Sequence, residues 1–129
     1  MQVDSPISVG ELLDKQSIVE IKISKIVNPE KLEYLNSEYK LLESKSKEIK
    51  SMDEKKFNEF YNALLDVNSK LWKIEDDIRD CESKKNFDKV FIELARSVYI
   101  TNDLRFEIKS KINNHFGSSI VEQKELKNY

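Results

Sequence analysis

The sequence predicts an all-α protein, two shorter N-terminal helices followed by a long antiparallel helical hairpin with coiled-coil-like seams. Three observations carry that prediction. Two Gly and two Pro in 129 residues are too few turn formers for the many short strands of a sandwich or barrel. Capping signals recur ahead of long mixed polar and apolar stretches. From Phe57 onward the apolar residues repeat at helical spacing, without strand-type alternation. The length fits a single helical domain over residues 1–129, and 39% hydrophobic content is enough for one core.

Each element has a local justification. Ser8-Val9-Gly10-Glu11 forms a capping box flanked by Ile7 and Leu12 at the staple positions, which opens a first helix over residues 8–27. Asn28-Pro29-Glu30 supplies an N-cap, a Pro at the first helical position and an acid in the first turn. A second helix runs over 28–50, with a stripe of Leu32, Leu35, Tyr39 and Leu42 that continues to Ser46 and Ile49 and weakens among Lys, Glu and Ser. Ser51-Met52-Asp53-Glu54 is another capping-box match and starts a third helix over 51–85. Phe57, Phe60, Leu64, Val67, Leu71, Ile74, Ile78 and Cys81 make its seam, a heptad pattern of more than three repeats. Asn86 or Asp88 caps a fourth helix over 87–116, with a seam of Phe91, Leu94, Val98, Thr101, Arg105, Ile108 and Ile112, and Gly117 suits the left-handed position after it. The C-terminal tail, 117–129, has little periodicity and is expected to dock or fray.

Composition removes several functions. One Cys and one His make neither a disulfide nor a zinc site of usual ligand count, so a reducing, cytoplasmic setting and no cofactor are expected. The first ten residues lack the basic region and apolar run of a signal peptide, and no stretch approaches a membrane span. Twenty-two basic and 24 acidic residues nearly cancel to a net charge of −2, which argues against a nucleic-acid-binding face.

Both long helices carry a second stripe. On the third it is Tyr61, Leu65, Asn68, Trp72, Glu75 and Arg79; on the fourth, Ile92, Ala95, Tyr99, Asn102 and Phe106. A helix apolar on two faces is covered on two sides. A helix of roughly 33 residues is ~50 Å long, more than the first two helices can cover. A homodimer packed through the hairpin is the economical solution, and a monomeric bundle the plainer one.

Folding the hairpin about Asn86 brings the segment from Trp72 to Arg79 against that from Ala95 to Arg105, with Asn68 level with Asn102 to Arg105. All three arginines, against 19 lysines, fall in or beside this zone. The guanidinium fork holds a carboxylate or phosphate in two parallel bonds and tolerates partial burial. Asn68, Trp72, Glu75, Asp76, Arg79, Arg96, Tyr99, Asn102, Asp103 and Arg105 are therefore the candidate polar network or ligand pocket. As a network it fixes register or partner, with surface pairs Glu75–Arg79, Asp76–Arg79 and Glu93–Arg96 accounting for much of the charge. As a pocket it suits an anionic or polyhydroxylated ligand such as a sugar.

An enzyme reading is weaker. Glu75, Asp76 and Asp103 are the only candidates for a shared divalent ion, in partial imitation of the all-helical nucleotide pyrophosphohydrolases, whose dense Glu-x-x-Glu pattern is not matched. Cys81 lies on a core seam, where an inert thiol is expected. His115 sits beside a helix terminus without a catalytic partner. The residues thus favour a non-enzymatic oligomerising interaction or assembly module, with a metal-dependent enzyme or binding protein for a nucleotide or phosphosugar as the alternative.

Ser8 to Lys15, Leu71 to Arg79, Phe91 to Arg105 and Gly117 to Glu122 together resemble a family of small bacterial and phage all-helical proteins known only as a domain of unknown function. The resemblance spans nearly the whole chain. It implies an accessory role near surface-polysaccharide or glycosyl-transfer pathways and supplies no catalytic residues. It points to the same hairpin segments, together with Gly10 and Asp14 to Lys15 of the first helix, while Gln16-Ser17 departs from its pattern.

Overall fold

A computed structural model describes residues 1–129 as four helices: α1 (Val9–Lys25), α2 (Pro29–Met52), α3 (Glu54–Ser83) and α4 (Lys89–Phe116). The fold is all-α with a long α3–α4 hairpin. Ser8 Oγ accepts the Glu11 amide at 3.0 Å, and the Asn28 side chain accepts that of Lys31 at 3.0 Å ahead of Pro29. The α2–α3 break falls at Asp53 rather than Ser51. The Asp53 carboxylate accepts the Lys56 amide at 3.2 Å, whereas the Ser51 hydroxyl turns back to the Glu48 carbonyl at 2.6 Å and remains inside α2. Asp88, not Asn86, caps α4, because Asn86 closes α3: its amide reaches the Cys81 carbonyl at 2.9 Å across Lys85, which takes a left-handed φ of 53°. Gly117, at φ 65°, ends α4 in the same way.

The core sits at the end of the hairpin away from its turn, where Leu13, Phe57, Leu64, Val67, Ile112 and Phe116 pack together. α1 crosses this end from α4 to α3: Gly10 bonds Asn113, Asp14 bonds both Arg105 and Asn68, and Glu20 accepts from Tyr61. α2 lies outside α1 and buries only Ser46 fully. Neither reaches far along the hairpin. Its outer part is a two-helix arm on which Phe87, Val90 and Ile92 are exposed, and Ile100 and Leu104 are exposed further down α4, level with the crossing of α1. Cys81 is half-buried rather than in a core for the same reason. No helix is long and apolar enough to cross a membrane.

The tail docks. Ser118 Oγ accepts the Val9 amide at 3.1 Å, Glu122 pairs with Lys109 at 2.7 Å, and Lys124 lies 5.0 Å from the Phe106 ring centroid. Tyr129 meets Tyr99 edge-on at 5.3 Å. The tail thereby meets Phe106 and the still exposed Tyr99 of the second stripe on α4, and α1 meets Asn68 and Tyr61 of that on α3. Parts of both faces are met from within one chain.

At the base of the bundle His115 Nε2 lies 2.9 Å from the Asp53 carboxylate, joining the end of α4 to the cap of α3. The His115 hydrogen bond, followed by that from the Lys56 amide, holds Asp53 below its ordinary 3.8. A carboxyl depressed on folding stabilises above its unfolded pKa, and that contribution disappears as pH falls through the folded value. Asp53→Asn keeps a good cap and removes the titration. Its melting temperature, followed by circular dichroism, should therefore fall less steeply than the parent's below pH 3.8; parallel profiles would show that the pair adds no acid sensitivity.

Candidate functional site

The centre of the molecule is a buried polar network that the capping and seam patterns do not reveal. On α1, Gly10, Asp14, Ser17 and Ile21 recur at spacings of 4, 3 and 4, so small and polar groups occupy the stripe that meets the hairpin. Asp14 is 0% exposed. Its Oδ1 accepts from Arg105 Nε at 2.9 Å and from Asn68 Nδ2 at 2.9 Å, and its Oδ2 takes the Arg105 Nη2. This is the two-pronged pairing for which a guanidinium is suited. Asn68 Nδ2 also reaches Ser17 Oγ at 3.0 Å, and that hydroxyl donates to the Asp14 carbonyl at 2.7 Å. Asp14 raises the Arg105 pKa above its ordinary value, chiefly through the hydrogen bond.

One turn along α4, Lys109 has a side chain 8% exposed that contacts Glu11 and Glu122 at 2.7 Å each. Burial pushes its ammonium down, but the hydrogen bonds to Glu11 and Glu122 outweigh it and hold the pKa above the ordinary value. Gly10 permits the close crossing. Its amide donates to Asn113 Oδ1 at 2.6 Å, and a Cβ there would sit 2.6 Å from the Lys109 carbonyl oxygen. Asn68 and Arg105 come together as the hairpin register predicts, around an acid from a third helix.

Beside this network opens a cleft of about 540 Å³ between α1, α3 and α4. Ile18, Ile21 and Leu71 give it apolar surface, with the half-buried Trp72 beside them. Asn68 and Arg105 are shared with the network, while Lys22, Glu75, Asp76, Arg79 and Asn102 complete the lining. Seven of the ten candidate residues thus border one cleft. The other three lie elsewhere. Arg96 is exposed and pairs with Glu93 at 3.4 Å, Tyr99 packs on Tyr129, and Asp103 accepts the Tyr129 hydroxyl. That hydrogen bond raises the Tyr129 pKa.

Two details differ from the sequence-based picture. The surface pairs of Arg79 with Glu75 and with Asp76 do not form: Arg79 makes no ion pair, and the nearby pair that does form is Lys73–Asp77 at 2.7 Å. Glu75 and Asp76 face the cleft while Asp103 is held by the tail, and no three His, Cys, Asp or Glu side chains converge on a point where they could hold a metal ion.

Neither the curated proteins nor the solved structures contain a match to the chain. A family model does match, over residues 1–128, and so takes in α1, the tail and every residue of the network and cleft. The chain belongs to the family of unknown function DUF6165.

Proposed function

We propose that the protein is a non-enzymatic interaction module that associates with a second copy through the exposed side of α4 in the α3–α4 hairpin. The observation that carries this reading is the set of large apolar side chains left exposed there, Val90, Ile92, Ile100 and Leu104 of α4 with Phe87 of the turn. Val90, Ile100 and Leu104 fall along one side of α4, and a large exposed apolar patch marks an association site. The chemistry of α4 suits its own copy. Laid antiparallel about Ser97, a small residue that allows close approach, two α4 helices set Val90 level with the other copy's Leu104. The same register brings Lys89 near Glu107, and neither has an ion-pair partner in its own chain. Such an interface is isologous, each contact occurring twice. An accessory place beside glycosyl-transfer or surface-polysaccharide enzymes is the setting that the family resemblance implies for it, and the composition favours a cytoplasmic one.

Light scattering tests the reading. The full chain should give twice its 15.2 kDa, and the double variant Ile100→Glu/Leu104→Glu should give a monomer with unchanged helical circular dichroism. A monomer mass for the parent at every concentration would sink the idea.

A further inference from the structure

We infer that the cleft between α1, α3 and α4 is a binding site for a neutral pyranose sugar, with Trp72 as the stacking surface and Glu75, Asp76, Arg79 and Asn102 as hydrogen-bonding partners. The cleft, at about 540 Å³, falls in the range of small-molecule sites, ~300–1,000 Å³, and has room for one or two sugar rings.

Its polar side chains are unspent. Trp72, Glu75, Asp76, Arg79, Asn102 and Lys22 make no side-chain hydrogen bond or ion pair within the protein, although neighbours on the same helices do, Lys73 with Asp77 and Arg96 with Glu93. Glu75 and Arg79 stand at the spacing that ordinarily pairs, yet both are left to the cleft.

The mixture of groups selects the ligand. Glu75 and Asp76 balance Lys22 and Arg79, so the free charges of the cleft sum to zero. A phosphate would meet two carboxylates and a metal ion two cations. A ring of hydroxyls suits both kinds of group, because each hydroxyl donates to a carboxylate and accepts from a guanidinium, ammonium or amide. The indole offers a flat apolar face for the C–H side of a pyranose, next to Ile21 and Leu71. Beneath them, the Asp14–Arg105–Asn68 network holds the floor fixed, which limits the ordering cost of binding. Sugar binding at this cleft is independent of self-association through α4.

Trp72 is the only tryptophan, so the intrinsic fluorescence of the full chain reports on the cleft directly. Titration with D-glucose, D-galactose, D-mannose and their disaccharides should give a saturable change with at least one of them, at a dissociation constant of about 1 mM or tighter. Inorganic phosphate and magnesium chloride should give none. Glu75→Ala and Arg79→Ala, checked by circular dichroism to fold as the parent does, should each weaken that sugar about tenfold or more, as loss of a hydrogen bond to a charged group does. Absence of a saturable change with every sugar overturns the assignment. So does binding that survives both substitutions at parental strength, or a response to phosphate or magnesium alone.

Discussion

Asp14→Ala is expected to destabilise the protein by about 3–5 kcal/mol, the usual cost of removing one partner from a buried ion pair. Asp14 is fully buried, and its carboxylate takes both prongs of Arg105 together with the amide of Asn68. Alanine returns none of these bonds. Arg105, whose side chain is only 28% exposed, keeps its charge and loses its counter-ion, and the Asn68 amide keeps only Ser17. Against a typical stability of ~5–15 kcal/mol, that is a large share. Urea unfolding should show a lower midpoint at an unchanged slope. A control separates the cost of stranding a charge from the worth of the pair. Asp14→Ala/Arg105→Met removes both charges without overfilling the site and should recover much of the loss, since it no longer strands a buried charge. A double variant as unstable as Asp14→Ala would mean that the pair itself, rather than the orphaned charge, carries the stability.

Gly10→Ala should also destabilise, by about 1–3 kcal/mol, the ordinary penalty for overfilling a packed crossing. The sign is the informative part. In an exposed helix interior the same exchange gains up to ~1 kcal/mol. Here the new methyl would lie 2.6 Å from the Lys109 carbonyl oxygen and 3.1 Å from its Cα, both backbone atoms of α4 that no side-chain rotation can move. Relief requires α1 to lift, which lengthens the Gly10–Asn113 bond and disturbs the Asp14 cluster one turn further on. A thermal melt at or above the parent's would show that the crossing has slack.

The legible parts of this fold are the local ones. Ser8 and Asn28 cap through amides only three residues further along the chain, and the α3 seam is visible because the heptad period is written in Phe57 to Cys81. The Asn68–Arg105 juxtaposition is nearly as local, since a hairpin register is set by its turn. Asp14 is different. In Asp14-Lys15-Gln16-Ser17 it reads as solvated surface, and its burial depends on partners 54 and 91 residues away. The pattern that betrays it, Gly, Asp and Ser on a heptad stripe, is intelligible once a close, polar helix crossing is considered, and the family resemblance points to Gly10 and Asp14 among these residues but not to Ser17. The tail's docking is one of two outcomes that the sequence leaves open, and its partners are not legible there. Lys124 and Tyr129 find Phe106 and Tyr99 across a reversal at Gly117 that fixes no register beyond its own turn. The cleft is half legible: Trp72, Glu75, Arg79 and Asn102 lie on the second stripes of the hairpin, but the wall from Ile18, Ile21 and Lys22 exists only because α1 crosses where it does.

The crossing of α1 also bears on the order in which the chain can fold. The bonds that seat α1 on the hairpin span 54 residues at Asn68, 91 at Arg105, 103 at Asn113 and 109 at Ser118. α1 therefore has no completed seat until α4 and the residue just after Gly117 have been made. Helices α3 and α4, joined by a tight turn, close on each other at small loop entropy. Docking of α1 buries Asp14 against Arg105 and Asn68 and in the same contact supplies the cleft wall of Ile18, Ile21 and Lys22. The cleft exists only while that contact is made, so anything that binds there also holds α1 on the hairpin.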